Sequence, residues 1–369
     1  MPKHRYRVGI VGLEPGRSWA ANAHIPALRA LADDFEIVGV ANSSRASAEA
    51  AAKAMGLPRA FADVAELVAS PEVDIVLVTV KVPHHLALAS AAIEAGKHVY
   101  CEWPLGNGLQ EARRLAELAR QRGVQAVVGT QALFAPEIIH LRELLAEGYV
   151  GEVLSTTLVG TGMGWGPTIQ SRNAYTLDQA NGATMLSIPL GHTLAALTDA
   201  LGPIAELSAL TAQRRHGALN ADTGEAVAIT APDQILAAGV LESGAPISIH
   251  YRGGMAHGSG LIWEINGSEG DLRIGGPGGH AQMVQLRLSG GRGGDDQLRP
   301  IALPAHLAGD SGDGAVVGNV RRLYAAFAKD LRQGTTHAPR FDDALRVHRI
   351  IAAIEGSARE RRPVRPDSL

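Results

Sequence analysis

A glycine-containing turn near the start of the chain has the residue types and spacing that bind phosphate. An apolar run from Arg7 ends at Gly12, and an alanine-rich helical pattern begins shortly after Gly16. A strand, a glycine turn and a helix in this order let backbone N–H groups and a helix N-terminus face a phosphate. Glu14 stands where the usual fingerprint has its second glycine. The pattern therefore indicates a dinucleotide site, with an ordinary strand-to-helix turn as the alternative. The candidate contacts are Gly12, Leu13, Gly16, Arg17, Ser18 and Trp19.

Two serines and an arginine follow the second predicted strand. Ser43, Ser44 and Arg45 lie in a stretch, from Val38 to Ala48, that contains no Asp or Glu. In dinucleotide-binding folds an acidic residue at this strand end accepts a hydrogen bond from a ribose 2′-hydroxyl, whereas an arginine suits a 2′-phosphate. The segment therefore predicts NADP as the cofactor in preference to NAD. The alternative is that Ser43 or Ser44 only caps the next helix.

Further polar and aromatic residues follow the third, fourth and fifth predicted strands. The carboxyl ends of parallel strands are where doubly wound folds bind ligands. The candidate cofactor contacts at this edge are Thr79, Val80, Val82, His85, Glu102, Trp103 and Gln131. The alternative roles are an ordinary residue in the first turn of a helix for His85 and a packing residue for Trp103. The adjacent His84 and His85 would point apart on a helix, so no metal site is predicted.

The composition excludes several classes of partner. The 369 residues carry a formal net charge of −3, so no basic surface for nucleic acid or acidic lipid is expected. No apolar run approaches the ~20 residues that a membrane-spanning helix needs, and the basic N-terminus leads into a predicted strand rather than a signal peptide. The single cysteine, Cys101, excludes an internal disulfide and fits a reducing compartment, so the protein is predicted to be cytoplasmic.

The first third of the chain alternates apolar strands with helices. The predicted strands are Tyr6–Val11, Glu36–Val40, Ile75–Val80, His98–Cys101 and Gln125–Val128. The predicted helices are Ser18–Leu31, Arg45–Met55, Val64–Ala69, His84–Ala95 and Leu109–Arg122. Several end on a glycine, as left-handed C-caps do. This alternation predicts an α/β fold with an N-terminal Rossmann domain, a doubly wound parallel sheet.

After about Pro136 the pattern changes to longer alternating strands. A helix is predicted at Glu137–Glu147, and strands at Glu152–Val159, Ile204–Gln213, Gln234–Leu241, Pro246–Tyr251, Gly260–Asn266 and Gln282–Leu288. Gly275–Gly279 and Gly290–Asp296 are predicted to be surface loops, followed by helices Val320–Arg332 and Phe341–Gly356. Hairpin-linked strands favour a C-terminal α+β domain with an open, mainly antiparallel sheet.

The predicted domains are an NADP-binding Rossmann domain at residues 1–129 and an α+β substrate and dimerisation domain at residues 130–369. An alternative within this division is that the C-terminal helices pack back on the first domain. An open sheet leaves one face to cover, so a homodimer or a dimer of dimers is predicted.

The residues around the fourth predicted strand resemble a known family. Ala95-Gly96-Lys97-His98-Val99 followed by Glu102-Trp103-Pro104 resembles the Gfo/Idh/MocA oxidoreductases, whose second motif typically reads Glu-Lys-Pro. The closer resemblance is to the branch of the fungal galactose-regulon repressor and its bacterial look-alikes. It rests on Val11-Gly12-Leu13, Trp19-Ala20, His24, Gly123-Val124-Gln125, Gly148-Tyr149-Val150-Gly151, Gly191-His192-Thr193 and Gly270-Asp271-Leu272. The family resemblance implies a Rossmann domain, an open α/β domain and sugar or polyol dehydrogenase activity, whereas the fungal branch implies an NADP-binding regulator.

Two of the family's three catalytic positions carry other residues here. The lysine position falls at Trp103 and the aspartate position at Ile188, so only His192 remains. An indole cannot ionise to take part in proton transfer. The resemblance therefore implies His192 as the general acid/base, with a core histidine as the alternative. Lys81, at a neighbouring strand end, is a candidate replacement for the lysine.

A polar, aromatic loop from Gly160 to Tyr175 is a candidate substrate cover. Trp165 and Tyr175 can stack on a sugar, and Arg172 can bind its hydroxyls. A solvated connecting loop is the alternative. The sequence thus predicts an NADP-dependent oxidoreductase acting on a small carbohydrate-like ligand, such as a sugar, polyol or glycoside. The alternative is a non-catalytic NADP-binding sensor.

Overall fold

The computed structural model describes residues 4–254, 257–308 and 314–369. The chain forms two compact units. The first contains the residues up to Gln131 together with Val316–Leu345, and the second contains Ala132–Ala315 and Arg346–Leu369. Among the described residues, no helix has both the length and the apolar character needed to cross a bilayer.

The first unit contains a parallel sheet of five strands. The strands are β1 (Tyr6–Val11), β2 (Phe35–Ala41), β3 (Ile75–Val78), β4 (His98–Glu102) and β5 (Ala126–Gly129). Their order is β2-β1-β3-β4-β5, with every pair parallel. β3 and β5 are buried along their whole length, as expected for a sheet covered on both faces. The predicted Rossmann fold is confirmed.

The helices of this unit follow the predicted alternation. They are α1 (Ile25–Ala30), α2 (Arg45–Met55), α3 (Val64–Ala69), α4 (His85–Glu94) and α5 (Leu109–Arg122). The segment predicted as one helix over Ser18–Leu31 is instead a π-helical turn at Ala20–His24 followed by the shorter α1. The predicted helix from His84 begins with a 3₁₀ turn at Val82–His84.

The Ala95–Val99 motif stabilises the sheet. Lys97 Nζ donates to the carbonyl oxygens of Ser70 and Val73, both at 2.8 Å. His98 Nδ1 accepts from the backbone N–H of Gln125 at 3.1 Å. These bonds tie the start of β4 to the chain entering β3 and to the chain entering β5. The lysine and histidine of the motif therefore have structural roles.

The second unit is built on an eight-stranded, mostly antiparallel sheet, with order β16-β15-β14-β13-β6-β12-β11-β8. Its strands are β6 (Val153–Thr161), β8 (Ile204–Ala212), β11 (Gln234–Leu241), β12 (Pro246–Arg252), β13 (Leu261–Gly267), β14 (Gly270–Gly276), β15 (Arg287–Arg292) and β16 (Arg299–Pro300). Only the β6–β12 pair is parallel. A smaller sheet contains β7 (Thr168–Ile169), β9 (Gly217–Asn220) and β10 (Ala226–Ala228). The predicted α+β class is confirmed.

The remaining helices are α6 (Pro136–Ala146), α7 (Gly191–Leu201), α8 (Ala305–Ala308), α9 (Gly314–Gln333) and α10 (Phe341–Glu360). On the buried side of the large sheet, Trp263 Nε1 donates to Thr156 Oγ1 at 3.0 Å. On the other side, Leu210 and Leu236 lie opposite each other on β8 and β11 and are 57% and 40% exposed. The large sheet thus has one buried face and one face with exposed apolar side chains.

Three local predictions in the second unit were wrong. Gly275, predicted to begin a surface loop, is a β14 residue paired with Ile262. The strand predicted at Gln282–Leu288 is β15, which begins only at Arg287. The chain after His280 forms a turn instead, because the N–H groups of Met283 and Val284 both donate to the His280 carbonyl. Gly290, predicted to lie in a surface loop, is a β15 residue paired with Leu272.

Candidate functional sites

The glycine turn after β1 packs tightly against the end of β3. Gly12 has a φ of +92°, and a Cβ atom on it would lie 2.5 Å from Val80 Cγ1. Thr79 Oγ1 donates to the Gly12 carbonyl at 2.7 Å. Both the left-handed conformation and the close approach require glycine at position 12. The structure thus brings together three of the predicted contacts, Gly12, Thr79 and Val80.

Asn42 holds this turn, a role that the sequence analysis did not assign. Asn42 Oδ1 accepts from the Leu13 N–H at 2.8 Å, and its Nδ2 donates to the Leu13 carbonyl at 3.0 Å. The same Nδ2 lies 3.2 Å from the Ser47 carbonyl. The side chain therefore ties the turn to the end of β2 and the start of α2. The only feature of the sequence that could have indicated this role is the position of Asn42 directly after a predicted strand.

The middle of the loop presents its charged residues to solvent. Glu14, Pro15, Gly16 and Arg17 are exposed. Ser18 Oγ accepts from the Glu14 N–H at 3.0 Å, so its hydroxyl organises the turn from inside. The Arg17 guanidinium is 71% exposed and lies 3.5 Å from the Glu14 carboxylate. Trp19 is half-buried beside them. The loop therefore offers a cation where a pyrophosphate would lie in this fold.

The segment after β2 caps its helix and also presents a cation. Ser44 Oγ accepts from the Ser47 N–H at 3.2 Å, so the capping alternative is realised for Ser44. Ser43 is exposed. Arg45 Nε donates to Glu49 at 2.9 Å, and its side chain is 68% exposed. Because this pair is open to water, its attraction is weak and Arg45 can turn toward another anion.

The residues around Gly12 fit a dinucleotide. The Gly12 turn is packed too closely against Val80 to hold a Cβ atom, and exposed arginines at positions 17 and 45 follow β1 and β2. No carboxylate occupies the stretch from Val38 to Ala48. These features agree with a phosphate-bearing ligand along the carboxyl edge of the sheet.

His85 joins two strand ends. Its Nδ1 lies 2.8 Å from the Pro104 carbonyl and its Nε2 lies 2.9 Å from the Val80 carbonyl. Burial lowers the pKa of this histidine, because the charged form is poorly solvated there. Val82 is buried beside it, whereas Lys81 is exposed. His85 therefore positions the chain after β3 against the chain after β4.

A buried hydrogen-bond chain ends at the carboxylate of Glu102, the last residue of β4. Gln131 Nε2 lies 2.7 and 2.9 Å from the two carboxylate oxygens. His24 Nε2 lies 3.0 Å from Glu102 Oε1, and His24 Nδ1 lies 2.9 Å from the Tyr324 hydroxyl. His24 therefore joins Glu102 to Tyr324 through its two ring nitrogens, with Nε2–H as the donor to the carboxylate.

Aromatic rings enclose this hydrogen-bond chain. Tyr100 and Tyr324 have ring centroids 4.8 Å apart, and the His24 ring meets Tyr100 edge-on at 5.1 Å. Burial raises the pKa of both tyrosines well above the usual value, and the Glu102 carboxylate raises it further. Both hydroxyls are therefore protonated at neutral pH. Tyr324 was not predictable from the sequence, because it lies 300 residues from His24 along the chain.

Trp103, at the family's lysine position, is packed into the first unit. Its side chain is only 5% exposed, and the Trp103–Pro104 peptide bond is cis. The adjacent Cys101 is fully buried, which raises the pKa of its thiol well above the usual range. Neither side chain carries a charge at neutral pH.

In the second unit, His192 lies in the first turn of α7 and is 3% exposed. Burial lowers the pKa of His192 to about 3, and the nearby His280 contributes to the shift. The imidazole is therefore neutral at physiological pH. Ile188 lies four residues earlier, in the turn at Leu186–Leu190, so the carboxylate of the family's third position is replaced by an apolar side chain.

His280 is a buried polar residue that the sequence analysis did not identify. Its Nε2–H donates to the Gly162 carbonyl at 2.6 Å, and its Nδ1 accepts from Gln282 Nε2 at 3.2 Å. The Trp165 indole stacks on the His280 ring and donates from Nε1 to the Thr176 carbonyl at 2.9 Å. Burial lowers the pKa of His280 as well. The glycine-rich segment Gly275–Gly279 before it predicted a surface loop, so a buried hydrogen-bonding role for His280 was not expected.

Tyr251 links the chain around His280 to the helix that carries His192. Its hydroxyl lies 2.7 Å from Thr193 Oγ1 and 3.1 Å from the Gly279 carbonyl. The second unit thus has a buried polar cluster, defined here as Trp165, His192, Thr193, Tyr251 and His280.

The other predicted substrate residues lie nearer the surface. Arg172 is exposed, and Tyr175 is half-buried, with its pKa raised by burial. Both belong to the 3₁₀ segment Ser171–Leu177. Within the described ranges, no group of three or more His, Cys, Asp or Glu residues is arranged to hold a metal ion.

Comparison with known proteins agrees with this geometry. Residues 6–130 match the model of the oxidoreductase family with an NAD-binding Rossmann fold, Gfo/Idh/MocA, and residues 136–276 match the C-terminal domain model of Gal80p. Dehydrogenase aclE of Aspergillus oryzae is 36% identical over 284 residues, which cover 74% of this chain and 77% of that protein.

Two solved structures share the fold over nearly the whole chain. The transcriptional regulator Gal80p from Kluyveromyces lactis has a TM-score of 0.86 and 26% identity, covering 99% of this chain and 92% of that one. A levoglucosan dehydrogenase in complex with NADH and levoglucosan has a TM-score of 0.84, covering 98% and 99%, and at 18% identity it shows likeness of fold alone. The chain therefore belongs to the Gfo/Idh/MocA oxidoreductase family, and its C-terminal domain is of the Gal80p type.

Proposed function

We propose that the protein binds NADP at the carboxyl edge of the Rossmann sheet and oxidises or reduces a carbohydrate-like alcohol or carbonyl. The observation that carries this proposal is the left-handed Gly12 turn, packed against Val80 at the carboxyl edge of the sheet and followed by the exposed Arg17 and Arg45. When bound, the nicotinamide ring accepts or donates a hydride. The Rossmann turn would hold the pyrophosphate, with Arg17 beside it.

Arg45 is the residue that would select NADP over NAD. Its guanidinium can form charge-assisted hydrogen bonds with a 2′-phosphate, and Ser43 can donate to the same group. An acidic residue, which would instead favour an unphosphorylated ribose, is absent from Val38 to Ala48.

His192 would act on the substrate hydroxyl. Burial lowers the pKa of His192 to about 3, so the imidazole is neutral at physiological pH but is a weak base. In alcohol oxidation it would accept a hydrogen bond from the substrate hydroxyl and take that proton as the hydride leaves the carbon, which requires its pKa to rise toward neutral when cofactor and substrate bind. Trp165, Arg172 and Tyr175 would contact the sugar, because aromatic rings stack on its C–H face and a guanidinium binds its hydroxyls.

A non-catalytic NADP sensor is the second candidate function. Trp103 and Ile188 replace two groups that the family uses for proton transfer, and Gal80p, a transcriptional regulator, shares the fold over the whole chain. In a sensor, ligand binding would change the affinity for a partner rather than lead to chemistry.

We further propose a cytoplasmic homodimer or dimer of dimers with no membrane or nucleic-acid partner. The exposed face of the large sheet supports self-association, because Leu210 and Leu236 present adjacent apolar side chains there. Light scattering at micromolar concentration should give at least twice the monomer mass, and a Leu210→Glu/Leu236→Glu double variant should be monomeric. A monomeric unmutated protein would contradict this proposal.

Absorbance of the reduced cofactor separates the two functions. The protein is incubated with NADP+ and a panel of sugars, polyols and glycosides, and with NADPH and the matching keto-sugars. Turnover supports the oxidoreductase. No change in absorbance on either panel, together with a sugar that changes the affinity for NADP+, supports the sensor.

A further inference from the structure

The carboxylate of Glu102 is largely buried and is held by two hydrogen-bonding side chains. Its side chain is 13% exposed, and its hydrogen-bond partners are His24 and Gln131. In the part of the chain that the structure describes, the ion pair recorded for Glu102 is with His24 alone, which is itself fully buried. Gly129 makes room for the carboxylate, since a Cβ atom there would lie 2.3 Å from Glu102 Oε1.

In the described part of the chain, the His24 imidazole at 3.0 Å is the one group beside the Glu102 carboxylate that can carry a positive charge. Tyr324 carries a protonated hydroxyl 2.9 Å from Nδ1 of His24, so it adds no charge to the hydrogen-bond chain. Gln131 is an uncharged amide, and the next residue along the chain is the packed indole of Trp103. Burial among such groups strengthens the field of the carboxylate, because little water is present to screen it.

Glu102 lies at the part of the sheet's carboxyl edge where the nicotinamide half of a dinucleotide would bind. The end of β2 is where this fold binds the adenosine ribose, and the turn after β1 binds the pyrophosphate. In the order β2-β1-β3-β4-β5, the ends of β3 and β4 lie on the other side of that turn. Glu102 is the last residue of β4.

We propose that the Glu102 carboxylate makes this site selective for the oxidised dinucleotide over the reduced one. The inference rests on the proposed cofactor binding. An oxidised nicotinamide ring carries a positive charge and a reduced ring carries none, so a fixed negative charge attracts only the oxidised form. A charge pair several ångströms apart at the edge of a protein contributes enough for a preference of about tenfold. The protein would therefore respond to the redox state of the dinucleotide pool, whether it acts as an enzyme or as a sensor.

Binding of NADP+ and NADPH, measured by calorimetry on the full chain without substrate, tests this inference. We expect NADP+ to bind about tenfold more tightly. Glu102→Gln should weaken NADP+ binding and leave NADPH binding little changed, so that the two affinities converge. Glu117→Gln, which alters an exposed carboxylate on α5, is the matched control and should keep the preference.

A ligand series makes the test independent of variant folding. 2′-Phospho-ADP-ribose lacks the nicotinamide ring and serves as the reference ligand. The unmutated protein should bind NADP+ more tightly than this reference by a larger factor than it binds NADPH. Equal factors, or a Glu102→Gln variant that folds and keeps the full preference, would overturn the inference while leaving NADP binding intact. Failure of both NADP+ and NADPH to bind would overturn the proposed function as well.

Discussion

The His280 imidazole lies nearly parallel to the Trp165 indole, with ring centroids 6.1 Å apart and an interplanar angle of 16°. The same imidazole donates to the carbonyl of Gly162, three residues before Trp165 in the chain. One buried histidine thus holds both the backbone and the side chain of the loop that was predicted to cover the substrate. Trp165 itself has a φ of +55°, which costs free energy that these contacts offset.

Replacing His280 should therefore loosen this loop. His280→Ala removes a buried hydrogen-bond donor and leaves the Gly162 carbonyl without it, so we expect a loss of about 1–3 kcal/mol in the free energy of unfolding. Tryptophan fluorescence should shift to longer wavelength as Trp165 gains solvent. His216→Ala, at an exposed position in the same unit, is the control. An unchanged unfolding midpoint for His280→Ala would count against the positioning role.

Gly12 and Gly16 offer a matched pair for the phosphate turn. Both have positive φ angles, but a Cβ atom on Gly12 would collide with Val80, whereas one on Gly16 has no atom within 4 Å. Gly16→Ala should cost about 1 kcal/mol, from backbone strain alone. Gly12→Ala should cost more and weaken dinucleotide binding at least tenfold, because the turn must move away from β3. Equal dinucleotide affinities for the two variants would show that close packing of the Gly12 turn against Val80 is not needed for binding.

These positions also indicate how far the sequence could predict the site. The Gly12 turn and the Ser44 cap were predictable because each is set by residues within a few positions along the chain. Tyr324 and His280 were not, because each acts on a residue more than a hundred positions away, on a contact that only the folded chain creates. The start of β15 was misplaced for a related reason, since buried turn residues such as Gln282 and Val284 imitate strand alternation.

Arg45 should determine the choice between NADP and NAD. A charge-assisted hydrogen bond to the 2′-phosphate contributes ~1.5–3 kcal/mol, which corresponds to about ten- to hundred-fold in affinity. Arg45→Ala should remove most of the preference for NADPH over NADH and leave NADH binding little changed, as measured by fluorescence titration. Lys53→Ala, at another exposed cation on α2, should have no such effect. If the unmutated protein binds NADPH and NADH equally, the assignment is wrong.

The buried histidines should make the protein less stable in acid. The pKa of His192 is about 3 in the folded protein and ~6.5 in the unfolded chain, so the unfolded chain binds more protons between these values. The free energy of unfolding should therefore fall as the pH decreases from 6.5 toward 3, by at most about 1.4 kcal/mol per pH unit for this group. His280, whose pKa is also lowered, adds a contribution of the same sign. Urea titrations across this pH range should show that the free energy of unfolding of His192→Asn changes less steeply with pH than that of the unmutated protein. The same pH dependence in both proteins would contradict the assigned charge state.

A role for His192 in hydride transfer with NADP is tested most directly by one variant. His192→Ala should lower kcat for the best substrate of the panel by about 10²–10⁴-fold, the usual contribution of proton transfer. Calorimetry should show NADP+ binding within about twofold of the unmutated protein, because the candidate cofactor residues belong to the other unit. Loss of turnover with retained NADP+ binding is the result that we expect. Turnover that survives in His192→Ala would contradict the claim.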